Sequence, residues 1–283
     1  MKRILLPTDF SKNAYNAISF AVQLFKDEEC ILYLLNTYTP AAYHTGMMID
    51  SYSALQMEDI TRNNSQEGLD RIEAILLKDH PNEKHTIEKI SSFNLLLSEI
   101  VSCVEEYKID LIVMGTQGAT GAKEIFMGTH TMYTIKKVKC PVIAVPSGFS
   151  YEAPKEILFA TDYRFKISNK YLPLLKNVCT SHNSRLHMLN AYYGIPLDEK
   201  QEKAKDFLDD YFKENAHLFH IAEGSDIVET VSAFQVKSKI NFLVMIHNKH
   251  SFFENLLFKP VINEIVFHTN VPILVIPSEE RLK

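Results

Sequence analysis

The sequence has no tryptophan, only four cysteines, and no apolar run approaching the ~20 residues that a membrane-spanning helix needs. Without tryptophan, intrinsic fluorescence is a poor reporter of ligand binding. Cys30, Cys103, Cys140 and Cys179 lie far apart and form no CxxC pair, which excludes a disulfide framework or a zinc ribbon and suits reduced, mostly buried thiols. Residues 1–7 open like a signal peptide for three positions, but Pro7 and Asp9 end the apolar run at once. A cytoplasmic location and no membrane association are therefore expected. Neither sign of charge dominates: 30 Lys and Arg stand against 35 Asp and Glu, for a net charge of −5. With no basic stripe, a general binder of nucleic acid or anionic membrane is not expected. The densest basic run, Lys136-Lys137-Val138-Lys139, reads as a solvated last helical turn that complements the helix dipole.

What is present is repetition. Ile4-Leu5-Leu6-Pro7-Thr8-Asp9-Phe10 returns as Ile157-Leu158-Phe159-Ala160-Thr161-Asp162-Tyr163, an apolar run closed by Thr-Asp and an aromatic. Leu35-Asn36-Thr37-Tyr38 returns as Leu189-Asn190-Ala191-Tyr192. Asp110-Leu111-Ile112-Val113-Met114 is answered by Asn241-Phe242-Leu243-Val244-Met245, and Pro141-Val142-Ile143-Ala144-Val145-Pro146-Ser147 by Pro272-Ile273-Leu274-Val275-Ile276-Pro277-Ser278, both at one constant offset. Four matched blocks in the same order indicate two copies of one domain. The boundary falls in the polar connection from Gly148 to Pro154, giving expected domains at 1–148 and 154–283.

Within each copy, short apolar runs alternate with stretches of helical period. The runs (Ile31 to Leu35, Leu111 to Met114, Val142 to Val145) are continuous, as in strands buried on both faces of a parallel sheet. Ala14, Ala17, Ile18, Ala21, Val22 and Phe25 sit at helical spacing behind Ser11, which is placed to cap the helix. A second helix is expected from Ala54 to Lys78, with Leu69, Ile72, Leu76 and Leu77 on its apolar face, a third from Leu96 to Tyr107, and a fourth from near Thr129. The expected fold class is α/β: two tandem open parallel five-stranded sheets with helices on both faces, Rossmann-like. Ligands of such folds lie beyond the carboxyl ends of the strands, where the strand order reverses.

The loop from Met114 to Thr129 is unlike the rest, with glycines at Gly115, Gly118, Gly121 and Gly128. Glycines let backbone N–H groups turn towards an anion, and a helix N-terminus adds its own donors and dipole. The loop is neither a Walker loop, since no Gly-Lys-Ser/Thr follows, nor a GxGxxG fingerprint. It reads as a phosphate cradle or, alternatively, as plain turns.

The spacing Gly115-x2-Gly118-x9-Gly128-Thr129, between a strand ending in Met114 and one opening Cys140-Pro141-Val142, resembles the ATP-binding signature of the universal stress protein family. Pro7-Thr8-Asp9-Phe10-Ser11 with Ala14, and Asp110 through Gly115, are similar to that family's first and fourth strands and turns. The resemblance covers the whole chain as a tandem form and implies the fold of the adenine nucleotide alpha hydrolases. It also implies ATP or another adenine nucleotide as ligand, with magnesium as an optional companion. By the same resemblance Pro7, Thr8 and Asp9 lie beside the nucleotide, and Asp9 holds a magnesium ion or the adenosine part. Met114 and Gly115 would then lie by the ribose or phosphates, Gly118 would shape the loop, and Gly128 and Thr129 would grip the phosphates. Gln117 departs from the pattern, where the family often has histidine. For Asp9 the alternative is to cap the following helix.

At the constant offset Gly115 becomes Ile246, Gly118 Lys249, Gly121 Phe252, Gly128 Lys259 and Thr129 Pro260, so the second copy reads as a partner that has lost its site. Asp162 remains, read as an inherited residue that caps a helix, with a live site as the alternative. His217 with His220, and His247 with His250, could suit a transition metal if each pair lay on a helix, but the first pair flanks Leu218 and Phe219 where a strand should begin and the second lies in the altered loop, so surface or loop histidines are the expected reading. The segment from Thr39 to Ser53 has no counterpart in the second half; it is either a lid or partner surface, or a loop packed on the neighbouring copy.

Three functions follow for testing. One is a stress-response protein that binds nucleotide as a sensor or regulator of an unidentified protein partner; another is a weak ATPase or nucleotidyl-transfer enzyme. The third is a dimerisation platform without ligand. The end strands of the two copies, Val142 to Val145 and Ile273 to Ile276, are expected to pair with each other, and further self-association to a homodimer is open.

Overall fold

The computed structural model describes residues 1–39, 51–116, 128–192, 196–223, 227–247 and 270–278. The described residues group into two compact units that meet in sequence at Cys140 and Pro141. None of their helices is long and apolar enough to cross a membrane.

The first unit runs β1 (Lys2–Pro7), α1 (Lys12–Leu24), β2 (Cys30–Thr37), α2 (Ser51–Asp79), β3 (His85–Ser92), α3 (Leu96–Glu106), β4 (Leu111–Gly115) and α4 (Thr129–Lys137). Its strands lie in the order β3-β2-β1-β4, with β1 parallel to both β2 and β4 and β2 parallel to β3. The chain therefore builds outward from β1 to β3, then returns to β1's other side. Right-handed crossovers in opposite directions place α1 and α2 on one face and α3 and α4 on the other. The strands are buried as their continuous apolar runs require: Ile4, Leu5, Leu6, Leu34, Leu35, Leu111, Ile112 and Val113 are fully enclosed. Each such side chain contributes roughly 1.5–3 kcal/mol of burial.

Local signals behave as expected at α1, where the Ser11 hydroxyl accepts the Ala14 N–H at 3.2 Å. On α2, Leu69, Ile72 and Leu76 are buried, but Leu77 is 52% exposed. The reason is angular: adjacent residues on a helix point about 100° apart, so Leu76 and Leu77 cannot both face the sheet. Lys136 and Lys137 form the last turn of α4. All four cysteines are buried and none is in a disulfide.

The second unit contains β5 (Val142–Val145), β6 (Glu156–Ala160), α5 (Leu172–His182), β7 (Arg185–Tyr192), α6 (Glu199–Tyr211), β8 (His217–Glu223), α7 (Ile227–Lys237), β9 (Phe242–His247) and β10 (Ile273–Pro277). Its strands lie in the order β5-β10-β9-β6-β7-β8, so β6 to β10 repeat the order of the first half. β5 runs antiparallel to β10, with Ala144 opposite Ile273 and Val142 opposite Val275. The fifth strand of the first half thus sits with the second unit, where its four side chains are all buried.

The repeat extends to single hydrogen bonds. The Thr8 hydroxyl accepts the Phe10 N–H at 3.0 Å, and the Thr161 hydroxyl accepts the Tyr163 N–H at 2.9 Å. Phe10 and Tyr163 both take left-handed backbone conformations, with φ of 64° and 56°. A bulky aromatic rarely adopts that conformation; here a Thr-Asp turn imposes it in both halves.

Candidate functional site

The strand order reverses between β1 and β4, which pair in parallel with Ile4 beside Leu111 and Leu5 beside Ile112. Their carboxyl ends consequently lie side by side, bringing Pro7, Thr8 and Asp9 to the same sheet edge as Met114 and Gly115. Pro7, Thr8 and Met114 are buried, Gly115 is half-buried and Asp9 is exposed. The Thr8 N–H still reaches β2, donating to the Leu35 carbonyl at 2.8 Å. Asn36 donates through Nδ2 to the Thr8 carbonyl at 2.7 Å.

Asp9 holds the turn that follows. Its Oδ1 accepts the Ser11 N–H at 3.0 Å, while Ser11 itself caps α1. The capping alternative for Asp9 is thereby corrected: the carboxylate shapes the turn before the cap, and the hydroxyl two residues on caps the helix.

Gly128 is the N-cap of α4 and Thr129 its first residue. The Gly128 N–H donates to the Thr116 carbonyl, and the Thr131 hydroxyl donates to the Gly115 carbonyl at 2.7 Å. These two bonds draw the start of α4 against the end of β4. No side chain caps this helix, which leaves the first-turn N–H groups of Thr129, His130 and Thr131 without intrahelical partners. Buried beside them, the Thr116 hydroxyl finds no hydrogen-bond partner among the described residues. Uncapped N–H groups, the helix dipole and an unsatisfied hydroxyl together favour an anion. Gln117, Gly118 and Gly121 lie outside the described residues, as do residues 40–50 of the insertion.

A cavity of about 410 Å³ lies between the turn after β1, the end of β2 and α2, lined among others by Phe10, Asn36, Tyr38, Ser65, Gly68 and Arg71. Residue type and spacing alone assign no role to Asn36, Thr116, Thr131 or Gly68. Asn36 carries a usable signal, since Leu35-Asn36 recurs as Leu189-Asn190.

The second half keeps the turn and closes it over. Asp162 Oδ1 accepts the Arg164 N–H at 3.0 Å, Asn190 Nδ2 donates to the Thr161 carbonyl at 3.0 Å, and Gln201 Nε2 donates to the Asp162 carbonyl at 2.7 Å. Burial raises the pKa of the Asp162 carboxyl. Asp162 is not a helix cap, because α5 begins only at Leu172 behind Tyr171. Ile246 is buried at the position of Gly115; Lys249, Phe252, Lys259 and Pro260 lie outside the described residues.

The histidines divide otherwise than a helical pair would. His217 and His220 lie on β8, where residues three apart point to opposite faces. His217 Nε2 meets Asp209 Oδ1 at 2.9 Å, whereas His220 Nε2 meets His187 Nδ1 at 2.9 Å and His187 Nε2 meets Glu156 Oε2 at 2.8 Å. His247 is buried and His250 lies outside the described residues. No group of three His, Cys, Asp or Glu side chains able to hold a metal occurs among the described residues.

An open, doubly wound α/β unit with an anion-seeking helix start at its switch point defines the class. Within it, the model of the universal stress protein family matches residues 1–146, and the chain belongs to that family. Universal stress protein MJ0531 of Methanocaldococcus jannaschii is 28% identical over 146 residues, covering 51% of this chain and 81% of that protein. Universal stress protein MJ0577 of the same organism is 30% identical over 153 residues, covering 51% of this chain and 94% of that protein. A solved universal stress protein from Archaeoglobus fulgidus shares the fold across both halves: it covers 98% of this chain and 96% of its own, at a TM-score of 0.63 and 18% identity.

Proposed function

We propose that the first half, residues 1–148, binds an adenine nucleotide, and that the chain acts in the cytoplasm as a nucleotide-dependent sensor or regulator in a stress response. The second half, residues 154–283, is a partner domain without a cradle of its own. The observation that carries this reading is the uncapped start of α4, tied through Gly128 to Thr116 just past the end of β4, the strand that pairs with β1. The residues fit a phosphorylated ligand: the N–H groups of Thr129, His130 and Thr131 have no intrahelical partner, and the Thr116 hydroxyl has none among the described residues. ATP would lie with its phosphates at Gly128 and Thr129, with Gly118 shaping the loop. Its nucleoside would lie against Pro7, Thr8, Met114 and Gly115. Asp9 would help to hold a magnesium ion or the adenosine part.

Calorimetry with ATP and magnesium tests the reading on the native chain and two variants. Gly128→Lys copies the second half; Thr129→Pro removes one N–H at a helix position where proline is tolerated. One site per chain is expected, weakened roughly tenfold or more in each variant. A turnover assay on the same samples separates a sensor from a weak ATPase. A well-folded native chain that binds no nucleotide would leave the ligand-free platform as the better account.

A further inference from the structure

Among the strands at the ends of the described sheets, β3 and β8 differ in kind. β3, at the edge of the first unit, carries Glu88 and Lys89, and Lys89 Nζ lies 2.6 Å from Asp70 and 2.6 Å from Glu73 on α2. An edge dressed in charge resists pairing with another chain. β8, at the edge of the second unit's sheet, reads His217-Leu218-Phe219-His220-Ile221-Ala222-Glu223, without Lys, Arg, Pro or Gly. One side of it is bonded to β7 along its whole length, from His217 beside Leu186 to Glu223 beside Tyr192. On the other side no described strand takes up its backbone groups. Leu218 on one face is 47% exposed and Ile221 on the other 70%. A strand apolar on both faces with an open edge is a template for a further strand.

We propose that β8 pairs antiparallel with β8 of a second copy of this chain, across a two-fold axis at His220. The strand is its own complement in that register: Phe219 stands opposite Ile221, Leu218 opposite Ala222, and His217 opposite Glu223. One face thus gains two aromatic–aliphatic pairs at its centre, flanked at both ends by a histidine and a carboxylate residue of opposite charge. Cross-strand pairs of both kinds stabilise antiparallel sheets. The 2.9 Å contact of His217 with Asp209 favours its cationic form, which suits Glu223 of the other copy. Sliding the partner by two residues puts Ile221 opposite His217 and moves Glu223 beyond the strand, so the apolar and charged matches are lost together. His220 does not obstruct the axis, because its ring is drawn inward, stacked on His187 at 5.1 Å and against Phe234 at 4.7 Å. The contact is isologous and closed, so it stops at a dimer. It lies on the second half and is independent of nucleotide binding.

Sedimentation velocity on the full chain over a range of micromolar concentrations tests it, beside Ile221→Lys, Glu223→Lys and His220→Cys. A native dimer is expected. Ile221→Lys should weaken it roughly tenfold or more and Glu223→Lys severalfold, while circular dichroism shows each variant still folded, so that the loss is of pairing and not of fold. On mild oxidation His220→Cys should form a disulfide-linked dimer, its new thiols facing each other at the axis while the four native thiols stay buried. A native chain that remains monomeric overturns the proposal, as does a dimer equally tight in Ile221→Lys. A His220→Cys dimer that never cross-links overturns the two-fold at His220.

Discussion

Asn36 donates through Nδ2 to the carbonyl oxygen of Thr8 at 2.7 Å, bolting the end of β2 to the turn that leaves β1. Asn190 makes the same bond to Thr161 at 3.0 Å. Both asparagines are buried, and each supplies a cross-strand bond just beyond the last ladder bond, from Thr8 N–H to Leu35 and from Thr161 N–H to Leu189.

Asn36→Ala leaves the Thr8 carbonyl without that donor and should lower stability by about 1–3 kcal/mol; Asn190→Ala should do the same. The two losses should add in the double variant, since the sites share no partners. Chemical denaturation measures all three. If nucleotide binds as proposed, only Asn36→Ala should also weaken it. A loss of a few tenths of a kcal/mol at either site would mean that water replaces the amide freely.

Gly68 on α2 makes room for the ring of Phe10. A Cβ at Gly68 would stand 2.4 Å from Phe10 Cζ and 2.5 Å from Cε2, so the ring would have to swing away. Gly68→Ala should therefore cost about 1–3 kcal/mol despite alanine's better helix propensity. In a Phe10→Ala background the same change should become neutral, or stabilising by up to about 1 kcal/mol. A double-mutant cycle reads the difference; equal effects in both backgrounds would show that ring and helix are not coupled.

His217 and His220 should pull the pH dependence of stability in opposite directions. Burial alone would lower the pKa of His217, but hydrogen bonds to the Asp209 carboxylate and the Asn215 carbonyl outweigh it and raise the pKa. Stability from His217 is thus full below its ordinary value of 6.5 and fades as pH rises through the raised value. His220 is lowered, first by burial and then by His187 and Lys237. Its contribution is full above 6.5 and is lost as pH falls through the lowered value. Asp209 and Asn215 face His217; His187 of β7 and Lys237 of α7 face His220, with Glu156 of β6 behind His187. Thermal unfolding from about pH 5 to about pH 8 should show His217→Asn losing stability mainly on the acid side. His220→Asn should lose its acid sensitivity. The reverse pattern would contradict the assignment of partners.

Much of this molecule is legible along the chain. Continuous apolar runs mark the buried strands, and helical spacing with a serine ahead of it marks α1 and its cap. Four matched blocks mark the repeat, which the hydrogen bonds of Thr8 and Thr161 reproduce atom for atom. Those features are local, or copies of local features, and a pattern of residue types carries them. Less is legible where a residue's role depends on its immediate geometry. Leu77 carries the right chemistry for the apolar face of α2 but the wrong angle. Asp162 sits like a helix cap in the sequence, yet its helix starts ten residues late. His217 and His220 stand on the strand expected around Leu218 and Phe219, but the partners each ring meets, Asp209 and His187, come from elements distant in sequence.

The sequence by itself determined the α/β class, the two copies, the loss of the glycines in the second and the positions where a cradle could form, because each depends on residue type and short-range spacing. The tertiary structure decided what those residues meet. It set Thr8 beside Asn36 and Gly115 beside Thr131, left the Thr116 hydroxyl unmatched among the described residues, and placed β5 antiparallel to β10. It also left one side of β8 without a partner among the described strands. Such juxtapositions join residues from separate strands and helices, and the free energy that selects them comes from burying whole surfaces at once, which no single segment encodes.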